Sequence, residues 1–141
     1  MEIRTFRTGD RARVVSLWQR CGLVVAWNDP DKDIERKRRQ QPDLFMVAVD
    51  GETIIGTAMG GYDGHRGSLY YLAVDPLHRR RGIGALLVQT VVEQLRELGC
   101  PKLNILVRSS NRAVIGFYEK LGFATDDVMC LGNRLSEDRR S

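Results

Sequence analysis

Apolar residues recur along this chain with two different periods, and the switches between them mark out its elements. Residues 2–6, EIRTF, alternate loosely between apolar and charged side chains and predict a short first strand. Thr8 or Asp10 then stands where a side-chain oxygen can accept the first helical N–H groups. Val14, Leu17, Trp18 and Cys21 fall at i, i+3, i+4 and i+7, one buried helix face, and Gly22 ends that helix. A second helix opens in AWNDPDKDIERKRRQQ, with Asp29 as N-cap, Pro30 as first helical residue, and Asp31 and Asp33 near the positive end of the dipole.

The period then shortens. Leu44 to Val49, LFMVAV, reads as a continuous apolar strand, and Asp50-Gly51 is a two-residue hairpin signal leading into ETIIGTAMGGY. A further turn, DGHRG, leads into SLYYLAV. Ile83, Leu86, Leu87, Thr90, Val91 and Leu98 return to helical spacing, with Gly99 as C-cap. KLNILV predicts another strand, NRAVIGFYEKL another helix stopped by Gly122, and DVMCLGNRL a last strand.

The resulting order, β-α-α-β-β-β-α-β-α-β, predicts one α/β (α+β mixed) domain over residues 1–141, three-layered, with helices flanking a mixed sheet. Its parallel part should join SLYYLAV to KLNILV through a helical crossover. Residues 136–141, SEDRRS, read as a frayed tail.

Composition narrows the function classes. The chain is 43% apolar and 28% charged with a net charge of +4, which suits an anionic ligand without arguing for nucleic acid. The run ERKRRQQ lacks interleaved aromatics and reads as a solvated helix face. Cys21, Cys100 and Cys130 are widely spaced, as expected of reduced thiols in a cytoplasmic protein rather than of disulfides or a metal site. No stretch has signal-peptide or membrane-spanning character, so neither membrane nor nucleic acid is expected as a partner.

Candidate chemistry concentrates in HRRRGIGALL, between a strand that stops at Asp75-Pro76 and a strongly periodic helix. A helix start offers unpaired N–H groups and a positive dipole end, glycine lets an anion approach the backbone, and arginine adds charge-assisted bonds to phosphate. No Gly-Lys-Ser/Thr follows, so this is not the P-loop of nucleotide hydrolases; an anion cradle of backbone amides fits better.

YLAVDPLHRRRGIGALL resembles the acetyl-coenzyme A segment of the GCN5-related N-acetyltransferases (GNAT family), matching at Leu72, Val74, Pro76, Arg79, Gly82 and Gly84. The family's second element is matched by NRAVIGFYEKLGF through Asn111, Tyr118, Gly122 and Phe123. NDPDKDIERK and MGGYDGHRGSLYYL further resemble the bacterial YpeA group of that family.

This resemblance implies a mixed, mostly antiparallel sheet of six to seven strands, splayed at the cofactor site, with about four helices. It implies acetyl-coenzyme A as acyl donor, an amine as acceptor, no metal, and a monomer or homodimer. Backbone groups around Leu72 and Val74 would bind the pantetheine amides. Amides from Arg79 through Arg80, Arg81, Gly82, Ile83 and Gly84 to Ala85 would hold the pyrophosphate, with one or more of the three arginine side chains on phosphate. Tyr118 matches the tyrosine that protonates the leaving sulfur, the alternative being simple packing between helix and sheet. Asn111 would be helix N-cap and cofactor contact, although the cap alone would explain it.

No glutamate occurs in SLYYLAV to serve as general base; Asp63, His65, Tyr70, Tyr71 and ordered water stay open. Alternation along a strand puts Tyr70 and Tyr71 on opposite faces, so at most one lines the acceptor groove. Trp27 could wall that groove, with Asn28, Asp29 and Asp33 receiving a cationic amine, although Asp29 also reads as a plain helix cap. The expected activity is transfer of acetyl from acetyl-coenzyme A to a small amine or a protein amino group. The alternative is an acyl-coenzyme A-binding regulatory module that has lost turnover.

Overall fold

The structure, a computed structural model, describes residues 1–138. Five strands form one sheet in sequence order: β1 (Glu2–Thr5), β2 (Phe45–Asp50), β3 (Thr53–Tyr62), β4 (Gly67–Val74) and β5 (Leu103–Asn104). The pairings β1–β2, β2–β3 and β3–β4 are antiparallel, and β4–β5 is parallel, as the helical crossover predicted.

Helices α1 (Arg11–Arg20) and α2 (Pro30–Arg39) cover one face of the sheet. There Val14, Leu17, Trp18 and Ile34 are buried with Phe45, Val47, Met59 and Ala73. Helices α3 (Ile83–Glu97) and α4 (Arg112–Lys120) cover the other. On that side Ile83, Leu87, Val88, Val91, Leu95 and Tyr118 pack on Met46, Ala48, Ile55, Ala58 and Leu69. The three layers follow from two-faced strands that bury apolar residues on both sides.

Several local expectations are corrected. The sheet has five strands, not six to seven, because residues 127–135 form no strand; Val128, Met129 and Leu131 are 76%, 87% and 92% exposed. A strand requires a neighbour to share its hydrogen bonds, and the two-residue β5 presents a short edge. The β2–β3 turn is Gly51-Glu52, one residue later than read, because Gly51 supplies the positive φ of 63° while Asp50 still pairs with Thr53. Neither Thr8 nor Asp10 caps α1 through its side chain. The buried Asp10 carboxylate instead accepts two bonds from Arg4, at 2.7 and 3.0 Å, one from Arg13 and one from the Arg7 amide.

The cap at Asp29 is as read: its Oδ1 accepts from the Asp31 and Lys32 amides. In the basic run of α2, Arg36 pairs with Asp33 and Asp138, Arg38 and Arg39 pair with Glu35, and Lys37 is buried against the sheet. Within the tail, Asp138 is held by Arg36 and Lys32, while residues 139–141 lie outside the described residues. Among the described residues no helix is long and apolar enough to cross a membrane, no group of His, Cys, Asp and Glu could hold a metal, and all three cysteines are free.

Candidate active site

The site begins with an irregularity in β4. Thr57 faces Ala73 and Met59 faces Tyr70, so Ala58 alone opposes both Tyr71 and Leu72. This bulge requires Tyr71 in the left-handed region, at φ 50°. A buried relay secures it: Trp18 Nε1 donates to Thr57 Oγ1 at 2.8 Å, and Thr57 Oγ1 donates to the Tyr71 carbonyl at 2.8 Å. The Trp18 and Tyr71 rings stack with centroids 3.8 Å apart.

The bulge breaks the alternation expected for the two tyrosines. Met59, opposite Tyr70, packs in the Trp18 cluster, so Tyr70 and Tyr71 share a face of the sheet. They still divide their roles. Tyr71 is committed to Trp18, and its hydroxyl donates to Asp33 Oδ2 at 2.5 Å, while Tyr70 is 51% exposed. Burial, then the bond to Asp33 and the charges of Asp33, Asp138 and Asp29, raise the Tyr71 pKa far above its ordinary value. That removes Tyr71 as a base.

The sheet opens ahead of the bulge and stays open past it. Strands β4 and β5 pair only at Gly67–Leu103 and Ser68–Asn104, leaving Leu69–Val74 with no strand on that side. Leu72 and Val74 pack their side chains toward α3 and α4. The Val74 carbonyl is already engaged, accepting from Arg79 Nε at 3.3 Å and Cys21 Sγ at 3.4 Å. Arg79 is thus folded back on the strand end, although it is exposed like Arg80 and Arg81, and Arg80 has φ 69°. Sequence reading missed the Cys21 contact, since a position on the face of α1 says nothing about the end of β4.

The two glycines of the basic turn differ in role. Gly82 is the N-cap of α3, exposed, at φ 74°, with nothing within 4 Å of where a Cβ would stand. It offers no side-chain oxygen, so the first amides of α3 lack the side-chain cap that Asp29 gives α2 and Asn111 gives α4. Gly84 is buried, and a Cβ there would meet Phe117 at 3.3 Å and Val74 at 3.6 Å. Its missing side chain is thus required by the packing of α3 against α4 and β4. Gly84→Val should therefore lower the melting temperature, whereas Gly82→Asn, which tolerates the left-handed φ of 74° and puts a side chain into the open space, should chiefly weaken ligand binding. Thermal melts beside calorimetric titrations separate them, and a Gly84→Val protein as stable as wild type would refute the division.

Tyr118 sits on α4 between Phe117 and Phe123, edge-on to both at centroid distances of 5.1 and 5.6 Å. It is 7% exposed, and burial alone raises its pKa to about 12. Asn111 Oδ1 accepts from the Val114 amide at 3.3 Å, so the cap role is present. On the acceptor side, Asp29 is occupied by its cap, and Asp33 by Tyr71 and Arg36. Asn28 is half-buried, while Trp27 is 46% exposed under the Arg108 guanidinium, 5.7 Å from its ring centroid. Arg134 donates to the Trp27 carbonyl at 2.9 Å. Two arginines, Arg108 and Arg134, thus stand against Trp27 on this side of the loop.

The geometry is a parted strand pair beside an uncapped helix start, with a buried tyrosine on the helix that follows. A protein of Pectobacterium atrosepticum named acetyltransferase is 56% identical over 140 residues, covering 99% of both chains. One from Yersinia enterocolitica, also named acetyltransferase, is 52% identical over 139 residues with the same coverage. Among solved structures, Ard1 from Thermoplasma volcanium is similar at 25% identity and a TM-score of 0.74, over 87% of this chain and 82% of that one. The PaiA N-acetyltransferase of Thermoplasma acidophilum, solved in complex with coenzyme A, has a TM-score of 0.72 at 19% identity, over 91% and 92% of the two chains. The model of the acetyltransferase (GNAT) family matches residues 11–123, and the chain belongs to that family.

Proposed function

We propose that the protein transfers the acetyl group of acetyl-coenzyme A to a primary amine, on a small molecule or a protein, with Tyr118 as general acid. The carrying observation is that β4 leaves β5 after Ser68, so an unpaired strand edge runs toward the uncapped start of α3. These features fit the donor. An unpaired edge can hydrogen-bond an extended chain carrying amides, and exposed amides at a positive dipole end suit a pyrophosphate. Bound there, acetyl-coenzyme A supplies a thioester whose carbonyl accepts the amine and whose sulfur leaves.

The chain's own groups divide the remaining work. Because the Val74 carbonyl is occupied by Arg79 and Cys21, backbone pairing with the donor centres on Leu72. Amides of Ile83, Gly84 and Ala85 hold the phosphates, helped by the exposed Arg80 and Arg81. Tyr118 keeps its proton on Oη at every working pH and presents it to the developing sulfur anion. Tyr70, exposed on the strand beside the bulge, lines the acceptor side together with Trp27.

Thiol release from acetyl-coenzyme A, followed against a panel of primary amines, tests this reading. Amine-dependent release is expected. Its rate should rise with pH as the amine loses its proton. It should not fall again near pH 10, because Tyr118 stays protonated up to about 12. A falling limb centred near an ordinary tyrosine value, about 10, would contradict the raised pKa of Tyr118, and its loss in Tyr118→Phe would still identify Tyr118 as the acid. Donor binding without release for any amine would favour a regulatory binder.

A further inference from the structure

Two stretches of sequence remain largely outside the donor site: NDPDKDIERK, which ends at Lys37, and MGGYDGHRGSLYYL, which carries Gly61, Ser68 and Tyr70. The fold brings them together where the sheet forks. Gly61 on β3 pairs with Ser68 on β4, and Ser68 is the last residue of β4 to pair with β5. Lys37, in the last turn of α2, reaches the same place. Where a Cβ would stand on Gly61, Ser68 Oγ is 3.0 Å away, Lys37 Nζ 3.6 Å and Gln41 Oε1 3.9 Å. Tyr70, two residues beyond Ser68 and in regular register with it, shares that face and is exposed. The group therefore lies on the acceptor side, where the unpaired strand edge begins.

Lys37 is the anomaly. It is 9% exposed, yet among the described residues its ammonium has no hydrogen bond and no carboxylate partner. Asp33, one turn earlier on α2, is engaged by Tyr71 and Arg36. Gln41 Oε1 is engaged by the Tyr62 amide at 2.7 Å. Burial alone pushes the Lys37 pKa down to about 8. An unpaired buried charge is costly, and an anion entering beside it offsets that cost.

The chemistry narrows the anion. One ammonium and one hydroxyl, which can donate, match a single negative charge shared over two oxygens. A phosphate dianion would carry surplus charge into the same place. We propose that Lys37, assisted by Ser68 Oγ, binds a carboxylate of the acceptor, so that the molecule acetylated is an amine that also carries a carboxylate, such as an amino acid. The inference rests on the transfer reading above for calling this molecule the acceptor.

Paired probes test it: the standard amino acids, β-alanine and γ-aminobutyrate, each beside its carboxamide. Both thiol release from acetyl-coenzyme A and the shift in melting temperature are measured. The preferred acid should exceed its amide in kcat/KM by about tenfold to a hundredfold, the worth of a charged hydrogen bond. Lys37→Met should abolish that preference, and Ser68→Ala should narrow it by a smaller factor. Methionine is similar in length and removes an unpaired buried charge, so Lys37→Met should melt at or above the wild-type temperature.

A wild type that uses amides as well as acids, or a Lys37→Met protein that keeps the preference, overturns the inference and leaves the transfer reading standing. A Lys37→Met protein that melts well below wild type makes the ammonium structural and overturns it too. If no amine supports release, the transfer reading fails. Carboxylates that then raise the melting temperature of wild type but not of Lys37→Met still support the site, and carboxylates without effect on either overturn it.

Discussion

Tyr118→Phe is expected to lower turnover by about a hundredfold to ten-thousandfold, the usual worth of a positioned acid, with donor affinity nearly unchanged. The substitution deletes one oxygen from a ring that Phe117 and Phe123 hold edge-on, so packing persists. The hydroxyl is a reluctant acid. Burial alone raises its pKa to about 12, well above a thiol near 8.5. Complete proton transfer to a free thiolate is therefore uphill, and the group acts by donating a strong hydrogen bond as negative charge builds on sulfur. A drop in kcat with KM for acetyl-coenzyme A held within about threefold would show this. Equal turnover in the variant would leave Tyr118 with packing as its only role.

Thr57→Val should cost about 2–6 kcal/mol of stability, the sum of two buried polar groups left without partners at about 1–3 kcal/mol each. Thr57 is fully buried, and its hydroxyl both accepts from Trp18 Nε1 and donates to the Tyr71 carbonyl. For a chain of this size that is a fall of about 10 °C in melting temperature. The effect should reach the site as well, because the carbonyl belongs to the bulge that separates β4 from its pairing pattern. Thr57→Ser keeps the hydroxyl and should hold both stability and donor affinity close to wild type. A Thr57→Val protein that melts with the wild type would mean the relay does not hold the bulge.

The bulge also shows where the sequence could have been read further. Apolar Leu69, Leu72 and Val74 are spaced by three and then two, a break in the strand period that marks one extra residue. Assuming strict alternation instead put Tyr70 and Tyr71 on opposite faces. The helices were legible because each has a local cause: Asp29-Pro30 at the start of α2, glycines just beyond α1, α3 and α4. The parallel β4–β5 pair followed from the crossover. The fate of residues 127–135 did not, since their apolar pattern specifies a strand but not whose edge it joins. Gly82 and Gly84 looked equivalent in the motif, and only the approach of Phe117 to Gly84 separates them. The engagements of Asp29 and Asp33 were legible only in part. The cap at Asp29 is local and was read from Asp29-Pro30, while the bond between Asp33 and the Tyr71 hydroxyl joins residues 38 positions apart and has no local signal.

The most direct test of the central claim is a calorimetric titration of the folded protein with acetyl-coenzyme A, repeated on Gly82→Asn, since asparagine tolerates the left-handed φ at that position. Saturable binding at one site, weakened in the variant while its melting temperature holds, is the predicted result and would place the pyrophosphate at the start of α3. A flat titration of wild-type protein would contradict the account, leaving the basic glycine turn a structural feature alone.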